Sequence, residues 1–96
     1  MVIETLTFRL AAGTGRDDFV AADKAWQNEL IPNRGGYLRR TTACSDDGLW
    51  LVTTLWATPA DAEAFRATAE ASDQVRRFFS LIDGSSVDRR IFTTLD

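Results

Sequence analysis

The chain has 96 residues, a length that suits one domain over 1–96 and is too short to supply helices for both faces of a sheet. A formal charge of −3 and a pI near 4.8 argue against a nucleic-acid partner, which needs a basic surface, and no apolar stretch is long enough to span a membrane. With no histidine and the single cysteine Cys44, the commonest metal ligand, the commonest general base and an internal disulfide are all missing, so neither a metal site nor a cofactor is expected.

The opening MVIETLTFRL lacks a basic region followed by an apolar run and a small-residue cleavage site, so a cytoplasmic location is expected. It alternates as a strand, with Val2, Leu6, Phe8 and Leu10 on one face and Ile3, Thr5, Thr7 and Arg9 on the other. The glycines of AAGTGRDD end this strand. Asp17 and Asp18 suit the first turn of a helix whose stripe is Phe19, Asp23, Trp26 and Leu30, stopped by Pro32. NRGG is a turn, YLRRTTAC a second strand and SDDG the hairpin into WLVTTLW, a third strand with Trp50, Val52, Thr54 and Trp56 on one face and Leu51, Thr53 and Leu55 on the other.

In TPADAEAF, Thr58 is a helix cap, Pro59 takes the first helical position and Asp61 stands where a capping-box acid belongs. ASDQ interrupts that helix. Val75, Phe78, Phe79 and Ile82 then form the stripe of a second helical piece, DGSS breaks it, and VDRRIFTTLD is rich in the β-branched residues of a fourth strand.

The order strand, helix, strand, strand, helix, strand is the βαββαβ arrangement of a ferredoxin-like α+β fold: a four-stranded antiparallel sheet with both helices on one face. The first and third strands lie in its middle. Ile3, Leu51 and Leu55 then form an apolar row on the face away from the helices, and the expected cover is a second copy of the chain.

The element order, the glycine and aromatic of RGGYLRR, and the strand-end tryptophan before an alanine- and acid-rich helix in WATPADAEAF together resemble the antibiotic biosynthesis monooxygenases of the dimeric α+β barrel superfamily. The resemblance implies a homodimer whose sheets pack face to face, with a small-molecule pocket between sheet and helices in each subunit. Trp56 matches the tryptophan that points into that pocket. Haem-degrading members also use a first-strand asparagine and a histidine about ten positions into the following helix. Phe8 is the nearest counterpart of the first, and Phe65 and Arg66 occupy the place of the second, so haem chemistry is not implied.

The resemblance therefore implies cofactor-independent oxygenation of an aromatic or polyketide-like molecule, in which an electron-rich phenolate reacts with oxygen itself. The pocket must hold the substrate and stabilise developing negative charge. Trp56 and Tyr37 are the candidate hydrogen-bond donors and Asp23 the candidate base, while Phe8, Trp26, Arg39 and Phe65 are candidate ligand-lining residues, Arg39 because it shares the strand parity of Tyr37. Each has a plain packing alternative: Trp56 as a core residue closing the sheet, Trp26 as helix core, Tyr37 with a wet hydroxyl, and Asp23 at the rim of its stripe. The competing function is a non-catalytic barrel protein that binds a small apolar ligand or acts as an interaction module.

Overall fold

Pairing between strands fixes which side chains meet. In the computed structural model, which describes residues 1–30, 35–69 and 71–95, with 29 and 30 by backbone alone, the strands are β1 (Val2–Phe8), β2 (Tyr37–Cys44), β3 (Trp50–Trp56) and β4 (Asp88–Thr93). They form one antiparallel sheet in the order β2-β3-β1-β4. The helices are α1 (Arg16–Ala25), α2 (Pro59–Ala69) and α3 (Asp73–Ser80). The expected α+β topology is thus the observed one, with the second helical region divided at Ser72, whose hydroxyl accepts from the Val75 N–H at 3.4 Å and starts α3 afresh.

The central pair runs from Val2 opposite Trp56 to Phe8 opposite Trp50. Because side chains alternate, this register stacks Val2, Leu6 and Phe8 beside Trp50, Val52, Thr54 and Trp56 beneath the helices, all of them buried. Phe8, Phe19 of α1 and Phe78 of α3 pack ring against ring at 5.1–5.7 Å between centroids, and Trp50 closes on Phe19 at 4.7 Å. This cluster anchors α1 and α3 to one end of the sheet. One charged side chain interrupts the apolar row of β1: Glu4, with only 14% of its side chain exposed.

Beyond Ala25 the first helix widens into one π-helical turn, Trp26–Leu30. The stop expected at Pro32 and the first half of the NRGG turn, Asn33 and Arg34, fall outside the described residues. The β2–β3 connection is a turn at Ser45–Gly48, where hydrogen bonds from Ser45 and then Arg9 hold the Asp47 carboxyl below its ordinary range. At the other end of the sheet, β4 covers Asp88–Thr93 rather than all ten closing residues, and each of its six residues is exposed.

Thr58 caps α2 as expected, its hydroxyl accepting from the Asp61 N–H at 3.2 Å and donating to the Asp61 carboxylate at 2.8 Å. The same carboxylate crowds Gly36, whose carbonyl receives the Ala57 N–H at 2.8 Å. Gly36 has φ +76, and a Cβ there would lie 2.1 Å from Asp61 Cγ and 2.6 Å from Asp61 Cβ. Both the backbone conformation and the space demand glycine. Gly36→Ala should therefore cost about 1–3 kcal/mol, seen as a fall of roughly 5 °C or more in the thermal midpoint by circular dichroism; Gly35→Ala, with nothing within 4 Å of its Cβ position, should change it far less.

Candidate active site

The helices do not fill the space above the sheet. Between the Trp56 end of the inner face and the layer made by the π turn, α2 and α3 lies a cavity of about 460 Å³. Leu6, Val52, Thr54 and Trp56 form its floor, and Trp26, Phe65, Val75 and Phe78 its roof. Where β4 leaves the inner face open, the wall turns charged, with Glu4, Arg66, Arg76 and Arg89.

The rings follow from local structure. Trp56 is the last residue of β3, opposite Val2, and is 1% exposed, with Phe65 of α2 at 5.4 Å and Tyr37 edge-on at 6.1 Å. Trp26 opens the π turn and meets Phe65 at 5.9 Å and Phe78 at 4.7 Å. Neither indole N–H has a hydrogen-bond partner, although both are buried. Buried indole donors ordinarily find an acceptor, and leaving one without costs about 1–3 kcal/mol. Two such donors on one cavity suit an electron-rich oxygen of a ligand.

Arg40 of β2 supplies polar lining from the sheet side, beneath Trp26. Its side chain is 1% exposed, its guanidinium lies 5.0 Å over the Trp26 ring, and its Nη2 donates to Asp23 Oδ1 at 2.6 Å. Nη1 donates to Gln27 Oε1 at 3.3 Å, the Gln27 amide donates to the Tyr37 hydroxyl at 3.0 Å, and Thr42 donates to Asp23 at 3.1 Å. One network thus joins three inward-facing residues of β2 to two of the first helical region.

Of the residues expected at a site, the cavity brings together Trp56, Trp26 and Phe65. Tyr37 does not line it, standing against the far side of Trp56 with its hydroxyl engaged by Gln27. Asp23 does not line it either, because its carboxylate is committed to Arg40 and Thr42; it positions Arg40 and is not placed to take a proton from a ligand. Phe8 has the right strand face but the wrong height, lying fully buried between Phe19 and Phe78. The expectation for Arg39 fails outright. Tyr37 pairs with Trp56 and Arg39 with the very next residue, Leu55, so Leu38 is an extra residue that turns Arg39 to the opposite face, beside Ile3, Thr53 and Leu55.

The charged lining residues Glu4, Arg40, Arg76 and Arg89 escape a reading of the sequence, and for two of them a signal can be named. Glu4 sits between valine-type and leucine positions on the buried face of β1, and that parity was the available signal, since a carboxylate in an otherwise apolar row is rarely accidental. Arg40 could be found only by counting back from the hairpin, where Cys44 pairs with Trp50. Among the described residues no group of three or more histidine, cysteine, aspartate or glutamate side chains could hold a metal ion.

The Arg40–Asp23 pair makes a prediction about stability. Arg40→Met strands a carboxylate that is 15% exposed and should cost about 3 kcal/mol in urea unfolding, whereas the double change Arg40→Met with Asp23→Leu should regain most of that loss, as replacement of buried ion pairs by apolar residues usually does. A double variant as unstable as the single one would show that the pair matters chiefly through Gln27 and Tyr37.

No protein-family model matches the chain, and neither does any curated protein. Solved structures do match. SnoaB, a cofactor-independent oxygenase from Streptomyces nogalater, shares 12% identity and superposes with a TM-score of 0.82 over 99% of this chain and 93% of its own. A monooxygenase from the gene ActVA-Orf6 of Streptomyces coelicolor, in complex with the ligand Nanaomycin D, shares 16% identity with a TM-score of 0.74 over 99% of this chain and 88% of its own. A putative antibiotic biosynthesis monooxygenase from Chloroflexus aurantiacus shares 15% identity with a TM-score of 0.73 over 100% of this chain and 95% of its own. At such identities the likeness is one of fold, and this chain has the fold of these monooxygenases.

Proposed function

We propose that the chain is an antibiotic biosynthesis monooxygenase-like enzyme that oxygenates a planar phenolic or anthrone-type molecule in the cavity without a cofactor. The observation that carries this is the coincidence, on one aromatic-walled cavity, of two partnerless indole N–H groups and a single carboxylate, Glu4. Glu4 Oε2 is buried without a hydrogen-bond partner, its two guanidinium neighbours standing at 3.7 Å, beyond hydrogen-bonding reach, so it can still accept from a hydroxyl or an acidic C–H of the substrate. Glu4 takes that proton, and Trp56 and Trp26 hold the resulting oxyanion. The electron-rich anion reacts with O₂; for an anthrone, the methylene carbon gives up two hydrogens, gains one oxygen atom as the new carbonyl, and the second oxygen leaves as water. The rings that line the cavity keep other water out and hold the substrate flat.

Oxygen-electrode measurements with an anthrone test this. Glu4→Gln should abolish uptake above buffer, and Trp56→Phe, which nearly conserves ring volume, should lower it by roughly 10- to 100-fold. A wild-type protein that binds the compound with no uptake of oxygen would instead be the non-catalytic ligand-binding form of the fold.

The active form is proposed to be a homodimer through the sheet face bearing Ile3, Leu51 and Leu55. This is supported by what that face exposes. All described helices lie on the other side of the sheet, while Leu51 is 37% and Phe92 48% exposed, and Ile3, Thr53 and Leu55 border a shallow apolar groove. Phe92 lies directly opposite Ile3, which extends the row onto β4. Each such side chain is worth about 1.5–3 kcal/mol when buried, and a two-fold axis uses every one twice, against the entropy of association. Sedimentation equilibrium at micromolar concentration should give about twice 10.7 kDa for the wild type. Leu51→Asp should give monomers or unfolded chain, and Arg77→Asp on the helix layer should leave the mass unchanged; a wild-type mass near 10.7 kDa would overturn the dimer.

A further inference from the structure

The cavity of an acidic protein is edged by arginines, and their partners do not balance them. Arg40 is paired with Asp23 at 2.6 Å and Arg76 with Asp73. The remaining two, Arg66 of α2 and Arg89 of β4, share one acid, each with its Nε 3.7 Å from Glu4 Oε2. Among the described ion pairs this leaves one positive charge at the cavity unmatched.

The geometry adds to the charge. A separation of 3.7 Å is too long for a hydrogen bond, and Arg66 Nε and Glu4 Oε2 are both buried without a hydrogen-bond partner. Buried donors and acceptors that lie close together and yet bond to nothing are costly, and a guanidinium fork is shaped to take a planar carboxylate with two parallel bonds. Arg66 and Arg89 come from opposite layers, helix and sheet, and their side chains are 34% and 44% exposed, so they reach both the cavity and solvent. They line the same cavity as Trp26, Trp56 and Phe65.

We infer that the ligand of this cavity is an aromatic acid, whose carboxylate is bound by Arg66 and Arg89. This rests on the small-molecule reading above and narrows it, since a neutral polycycle leaves the unmatched charge as it is. Glu4 keeps its acceptor free for a hydroxyl on the same ring system, and the acid group stays outside the reacting centre. The arginines therefore select and orient; they do not take part in bond making.

Calorimetric titration of the full chain with anthraquinone-2-carboxylate and with its neutral isostere anthraquinone-2-carboxamide tests the inference. The wild type should bind the carboxylate about tenfold or more tightly than the amide. Arg66→Gln and Arg89→Gln, with folding checked by circular dichroism, should each bring the two affinities to within about threefold by weakening the carboxylate alone. Glu4→Gln removes the competing acid and should widen the preference, a gain that misfolding cannot mimic. Equal affinity for the two probes in the wild type, or a preference that survives both arginine changes, overturns the inference while leaving the cavity as an aromatic-binding site. Failure of both probes to bind overturns the small-molecule reading together with it.

Discussion

One extra residue in β2 determines what lies above the sheet. Strict alternation back from the hairpin, where Cys44 meets Trp50, would turn Arg40 and Leu38 inward and Tyr37 outward; alternation forward from Tyr37 would turn Arg39 inward instead. The bulge at Leu38 lets both ends have their way, with Tyr37 edge-on to Trp56 and Arg40 beneath the helices. A buried guanidinium then requires an acid, and Asp23 on the stripe of α1 supplies it. Arg40 spreads under Trp26 and holds Gln27, which holds Tyr37. The position of the cavity roof, and of one of its two free indoles, thus follows from a register shift about one residue long.

That dependence also explains how far the sequence could be read. The strands, the hairpin, the cap at Thr58 and the break before Asp73 come from local patterns of two to eight residues and were legible as such. Strand parity and helix spacing gave the faces of Trp56 and Trp26, but a pocket beside Trp56 and Phe65 was implied by the family resemblance, with a plain packing role open for both tryptophans. A bulge leaves no comparable trace. YLRRTTAC has an arginine at both parities, so nothing in composition distinguishes Arg39 from Arg40. Phe8 shows the complementary failure: its face was right, but whether it meets a void or another ring depends on where Phe19 and Phe78 arrive from distant parts of the chain. Asp23 was rightly singled out as an acid on an apolar stripe, and its role changed because its partner could not be identified.

The cavity is kept open against the ordinary tendency of a core to close. Protein interiors pack densely, and a chain this short has little stability to forgo. Yet the walls carry Thr54, Ala69 and Val75 where larger apolar side chains would fill space, and two tryptophans present N–H groups to nothing. Each departure is destabilising alone. Their concentration at one place, with the only carboxylate among the described residues of the inner sheet face, supports the proposed site against a packing defect.

The two faces of WLVTTLW divide the work of the fold. On the inner face, Trp50 belongs to the tight cluster with Phe19, and its ring also carries the Arg16 guanidinium at 5.5 Å, while Trp56 belongs to the open end. Rigidity is thereby placed at one end of the strand and space at the other. On the outer face, Leu51 and Leu55 flank the single hydroxyl of Thr53, and every described helix lies on the opposite side. The groove of Ile3, Thr53 and Leu55 backs a cavity whose floor is the same strand, so the proposed homodimer would touch the site through β3. Interiors are densely packed, so a displacement of β3 from its outer side would also move Thr54 and Trp56, which line the cavity from the inner side.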